Sequence, residues 1–277
     1  MVKSRLLVAF LKFLIPLSVL YWFYLYVFRP ETNYVYIVFP TLIVILAVVG
    51  FLLGINTQKG WGGFHSFVGK SVGFITLSLL MWTLGMIVSV YYSLTNQEIP
   101  YPGLPDFFWI LIDPFYTVAL IMMIRFSGAT SNIKKTWGYL ALIAIPLLSL
   151  YINYRVFFTG DGLFEALDPA ILFDLFYSFG SIAVMTLIAI TIVLSLNKLG
   201  GKMKIAMYLL FVGLFAQYVG DVTYSILLSQ GDQYDGNLSD FIYFLSIAFV
   251  TVGIASLNTN KLNGNVENIS TTGGNVS

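Results

Sequence analysis

The chain has 277 residues and a formal net charge of +1; only 10% of its residues are charged, 58% are hydrophobic, and its mean hydropathy is +0.86. A water-soluble domain carries about 25% charged residues, so most of this surface must face lipid, and the near-neutral balance excludes the basic face of a nucleic-acid binder. With no cysteine and one histidine, His65, the composition excludes disulfides, thiolate or multi-histidine metal centres, a cysteine nucleophile and a bis-histidine haem, and calls for no cofactor.

Lys3 and Arg5 precede an apolar run, as in a secretory leader, but the run continues to Phe28, is rich in Tyr and Trp, and has no small-residue cleavage site. It reads as a retained helix. Crossing the hydrocarbon core takes about 20 apolar residues, and segments of that length fall at 6–28, 34–54, 69–94, 107–127, 136–157, 169–196, 204–228 and 240–257. The expected fold is an all-α bundle of about eight transmembrane helices over 1–257. A polar tail, 258–277, rich in Asn, Gly, Ser and Thr, is expected to be disordered, with no soluble domain after the bundle.

Counting outward from the N-terminus puts twelve cations on one side: Lys3, Arg5, Lys12, Lys59, Lys70, Arg125, Lys134, Lys135, Lys198, Lys202, Lys204 and Lys261. Arg29 and Arg155 are alone on the other. Excess Lys and Arg mark the cytoplasmic side, so the sequence predicts a cell-membrane protein with both termini cytoplasmic. Lys198, Lys202 and Lys204 are expected to meet anionic headgroups of the bilayer.

Asp106-Phe-Phe-Trp109, Asp174-Leu-Phe-Tyr177 and Asp240-Phe-Ile-Tyr243 recur at spacings of 68 and 66 residues, each near the start of the second helix of a hairpin. The echo predicts repeated helical hairpins in parallel orientation. Asp106, Asp168 and Asp240 stand at expected helix starts, where a carboxylate accepts the unpaired amide protons of the first turn. Asp168 is followed by Pro169, a residue suited to that turn.

Asp113, Asp174 and Asp221 lie inside expected spans, each six or seven residues from the outer end, a common depth of about 10 Å at 1.5 Å per residue. Charged residues in a membrane normally face the bundle interior and are paired, so the three are candidate lining of one ligand pocket. Arg155, Asn153, Tyr218 and Tyr224 are candidate partners, and Tyr116, Tyr177 and Gln217 could add hydrogen bonds. The alternative is a purely structural network between helices.

Enzyme signatures fail. Gly220-Asp221 shares two residues with the Gly-x-Gly-Asp of intramembrane aspartyl proteases, but Tyr218 replaces the first glycine, and the only Tyr-Asp pair, Tyr234-Asp235, falls in a loop. No lysine sits at mid-helix, as a retinal protein requires. Gly60-Trp-Gly-Gly63 lacks the strand-to-helix setting of a nucleotide loop.

Tyr101-Pro-Gly-Leu-Pro-Asp106, then Trp109 and Pro114, resembles the Pro-x-x-x-Asp-x-x-Tyr-x-x-x-x-Pro opening of a multi-helix membrane sensor module. That module stands N-terminal to many bacterial diguanylate cyclases and some histidine kinases. Gly220-Asp221-x-x-Tyr224, Tyr234-x-Gly236, Asp240-x-x-Tyr243 and Asp174 resemble its later helices, so the likeness spans the third to eighth helices. Asp113 stands where the family usually has an aromatic residue, and Leu172-Phe173 replace its Tyr-Pro. The resemblance implies sensory input; with only the short tail after the last helix, output is expected through a separate cytoplasmic signalling protein. The rival expectation is a small-solute or cation transporter using the same carboxylates. It is disfavoured because the inner halves of the helices contain no Asp or Glu and no broken helix is evident.

Overall fold

Lipid offers the backbone no hydrogen-bond partner, so an apolar segment in a bilayer must close its own bonds as a helix. The computed structural model describes residues 2–95, 97–126, 136–157, 169–195, 201–232 and 234–257, and among them regular structure is helical throughout. The helices are α1 (Val2–Phe28), α2 (Asn33–Gly60), α3 (Phe67–Leu94), α4 (Leu104–Trp109), α5 (Ile112–Phe126), α6 (Thr136–Phe157), α7 (Pro169–Ser195), α8 (Gly201–Gln230) and α9 (Leu238–Ser256). A 3-10 turn, Gly63–His65, separates α2 from α3.

Seven described spans are long and apolar enough to cross a membrane, α4 and α5 together forming one of them, Leu104–Phe126. α6 adds a shorter apolar stretch, Gly138–Leu148. The protein is an all-α, multi-pass membrane protein. Its connections at 29–32, 95–103 and 231–237 carry Glu31, Glu98, Asp232 and Asp235 and define an acidic face. The opposite, basic face carries Lys59, Lys70, Arg125 and Lys204. The 258–277 tail and Asp168 lie outside the described residues.

α2, α3, α5, α7, α8 and α9 pack as successive neighbours, and α9 closes on α2; α1 lies outside against α2 and α9, α6 outside against α7 and α8. The partners within each expected hairpin, α3 with α5, α6 with α7, and α8 with α9, are neighbours. Lipid tails are as apolar as leucine, so close packing rather than transfer from water holds such helices together. The α8–α9 pair shows how. A Cβ on Gly213 would lie 2.7 Å from Val250 Cγ2 and 2.9 Å from both Ser246 O and Val250 N; one on Gly253 would lie 2.8 Å from Leu210 Cγ. The missing methyls let the two backbones approach. Several hydroxyls inside the spans bond back one turn, as Ser18 does to Leu14 O (2.9 Å) and Thr76 to Val72 O (2.7 Å), whereas those of Ser71 and Thr251 are buried without a hydrogen-bond partner among the described residues.

One expectation fails. Span four is broken: α4 ends at Trp109 and α5 begins at Ile112. Pro114 has no N–H, and its ring crowds the carbonyl four residues earlier, that of Ile110. The chain tightens there, Leu111 N bonding to Phe108 O at 3.2 Å, before Phe115 N to Leu111 O (3.3 Å) resumes the α pattern. Pro16, Pro40 and Pro146 lie inside α1, α2 and α6, which run through them.

If the α8–α9 approach depends on Gly213, Gly213→Ala should cost about 1–3 kcal/mol by overpacking against backbone. Val212→Ala, at a position 44% exposed on the lipid side, should be near neutral. Unfolding of both variants in detergent compares them directly, and a neutral Gly213→Ala would contradict this packing.

Candidate functional site

Asp221 sits in α8 and faces α9 and α7. Its Oδ1 accepts from Tyr243 Oη of α9 at 2.9 Å and from Gln217 Nε2, one turn away on α8, at 3.3 Å. Ser181 of α7 is a third hydrogen-bond partner of the carboxylate. Ser246 Oγ, fully buried in α9, donates to Gln217 Oε1 at 3.3 Å, extending the chain inward. Gly220 makes the arrangement possible: a Cβ there would lie 2.7 Å from the Tyr243 ring.

Asp113 approaches the same place from the other side of α7. It stands in the first turn of α5, immediately after the break, where the positive end of the helix dipole favours a negative charge. A Cβ on Gly180 would lie 2.7 Å from Asp113 Cβ, so the carboxylate-bearing side chain packs onto bare α7 backbone. Gly180 and Ser181 thus receive Asp113 and Asp221 at one level, and the two carboxylates repel each other within electrostatic range. Tyr116, 1% exposed on α5, lies in the field of both. Ser78 of α3 donates to Ile112 O at 3.2 Å and ties the resumed helix to the ring.

Asp174 does not share that level. Its main chain stands six residues before Gly180 in α7, about 9 Å nearer the acidic face. The reason is register. Tyr177 Oη donates to Asp106 Oδ1 at 3.0 Å, so the start of α4 is level with the third turn of α7, and counting from helix ends misaligns the two. The side chains of Asp174, Asn153 and Arg155 lie outside the described residues. Tyr218 is buried, 7% exposed; Tyr224, 39% exposed, lies near the acidic face within the field of Asp106 and Asp240.

Asp106 and Asp240 occupy matching positions. Each is the third residue of its helix, and each Oδ2 accepts an amide proton from a preceding glycine: Gly103 N at 2.8 Å and Gly236 N at 2.6 Å. Asn237 precedes α9 and accepts from Ser239 N (2.7 Å) and Asp240 N (3.2 Å). This role was missed in the sequence, although Asn237-Leu-Ser-Asp240 carries the spacing of a capping box. Trp109, the aromatic residue after Asp106, fills the notch left by Gly85 on α3, where its buried Nε1 has no hydrogen-bond partner among the described residues.

The aromatic residue of each echo therefore has a distinct task. Tyr177 joins α7 to α4 through Asp106, Tyr243 joins α9 to α8 through Asp221, and Trp109 seats α4 against α3. Ser181, Ser246 and Gly180 carry no motif, and their roles, like the contact Gly220 makes with Tyr243, follow only from which helices are neighbours. No family model, characterised protein or solved structure matches this chain.

The Asp106–Tyr177 bond can be isolated from capping. Tyr177→Phe should cost about 1.5–3 kcal/mol of stability in detergent, the range for hydrogen bonds to charged groups. In an Asp106→Ala background, itself destabilised by about 0.5–2 kcal/mol through the lost cap, the same change should be nearly silent. Equal cost in both backgrounds would mean that the bond contributes nothing.

Proposed function

We propose that this protein is a membrane sensory module that receives a small cation, the proton included, at the Asp113–Asp221 pair, and signals through a separate protein. The observation that carries the reading is the charge balance of the pair. Among the described residues the donors to Asp221 are a phenol, an amide and a hydroxyl, all neutral, and the charge that acts on Asp113 is the Asp221 carboxylate.

A carboxylate near the bilayer centre costs at least about 2.5–3.5 kcal/mol. Three neutral donors offset that for one negative charge, since hydrogen bonds to charged groups contribute about 1.5–3 kcal/mol each. Two adjacent negative charges exceed what those donors support. A proton or a monovalent cation restores the balance, and its arrival changes how α5, α7 and α8 press on one another. The resemblance to the sensor module points the same way. With the basic face cytoplasmic, as the charge bias favours, the site lies toward the outside and a cytoplasmic signalling protein reads the helix ends.

A transporter is the second reading, favoured by the broken fourth span, because interrupted helices carry ion and substrate sites in many transporters. Asp and Glu are nevertheless confined to the acidic-face halves of the described spans, so the carboxylate site has a route from one side.

The test uses the whole protein in lipid nanodiscs, with Trp109 fluorescence read in a variant whose other tryptophans are Phe. Changing external pH or sodium should shift the signal in this parent, and Asp221→Asn should abolish the response. A parent indifferent to both would overturn the reading. Electrogenic cation uptake into proteoliposomes would favour transport instead.

A further inference from the structure

A second charged site lies at the opposite end of the bundle. Phe67 opens α3, Lys70 follows one turn later, and Arg125 stands in the last turn of α5. Lys70 Nζ lies 5.7 Å and Arg125 Cζ 5.9 Å from the centre of the Phe67 ring, so two cations from different helices converge on one aromatic face or its edges. Cation–aromatic attraction gathers them against their mutual repulsion.

Among the described residues, no acidic side chain stands near the pair. The described stretches that reach this face, residues 57–70, 119–126, 203–210 and 250–257, contain no Asp or Glu. Lys59 and Lys204 add further positive charge. The surroundings are also apolar. Phe67 is 47% exposed and Phe64 51% exposed, and Trp61 lies in the same turn, its indole N–H tied to Leu257 O at 2.8 Å. Aromatic residues at a span end belong to the headgroup level of a bilayer.

We propose that Lys70, Arg125 and the Phe67 ring form a binding site for the headgroup of an anionic phospholipid. The phosphodiester lies between the ammonium and the guanidinium, which is shaped to take two of its oxygens. Phe64 and Phe67 lie along the glycerol and upper acyl chain. A free anion would satisfy the cations but leave the rings exposed, whereas a lipid covers both. This site is independent of the carboxylate pair, and it ties α3 to α5 on the side of the membrane away from the break.

The experiment measures how much phosphatidylglycerol stays with the protein in phosphatidylcholine nanodiscs as its fraction rises. Diffuse attraction changes anionic-lipid affinity about fivefold per juxtamembrane cation, so Lys70→Gln with Arg125→Gln should weaken retention by more than the roughly 25-fold that two unstructured cations account for. Phe67→Leu, which removes no charge, should weaken it as well, while the exchange Lys70→Arg with Arg125→Lys should retain most of it. Thermal midpoints in pure phosphatidylcholine establish that each variant is folded. An equal loss from Lys59→Gln with Lys204→Gln would show diffuse attraction and overturn the site. Displacement of the lipid by inorganic phosphate at matched concentration would overturn the assignment to a lipid.

Discussion

A polar group inside a bilayer must find its partner within the protein, because hydrocarbon offers none. That requirement explains the internal arrangement of this bundle more than any apolar contact does. A hydroxyl in a span can bond back to its own helix, as Thr76 does to Val72 O. Carboxylates cannot, because an ionised carboxylate only accepts, and the helix interior has already spent its amide protons. Asp106 and Asp240 therefore sit where amides are still free, at helix starts beside Gly103 and Gly236. Asp221, deep in α8, draws its donors from a neighbouring side chain and from two other helices.

The broken fourth span follows from the same requirement. Pro114 deprives the Ile110 carbonyl of its usual donor, and the tight turn at Phe108–Leu111 absorbs the mismatch. Ser78 of α3 then holds the Ile112 carbonyl. The interruption gives Asp113 a helix start of its own within the membrane, and Gly180 leaves room for it. Position and charge are thus set together: the fresh helix dipole favours the anion on α5 while the second carboxylate on α8 disfavours it. Such a pair is sensitive to any cation that reaches it. The phospholipid site on the basic face would clamp α3 and α5 at their far ends, so movement at the break has a fixed base.

The spans were legible in the sequence because apolar runs of twenty residues have one solution in lipid. Asp106 and Asp240 were legible as helix-start residues, but not their position: each is the third residue of its helix and accepts from a glycine ahead of it rather than from a first-turn amide. The break was not: four prolines occur in expected helices, and only Pro114 coincides with an interruption. The common depth read for Asp113, Asp174 and Asp221 applies to the first and last, because α7 extends past the start of α4 on the acidic face and helix ends are a poor ruler. Gly180, Ser181, Gly220 and Ser246 have meaning only once α7, α8 and α9 are known to be neighbours. Tyr243 was visible as the aromatic residue of its motif, but its bond to Asp221 depends on the register of α9 against α8.

The account stands on Asp113 and Asp221 acting as one electrostatic unit rather than as two separate buried acids. A double-mutant cycle of Asp113→Asn and Asp221→Asn on unfolding free energy measures that directly. Removing either charge relieves the other, so the double variant should differ from the sum of the singles by about 1 kcal/mol or more, within the range for interacting residues. Additivity to within about 0.3–0.5 kcal/mol, the behaviour of independent sites, would contradict it.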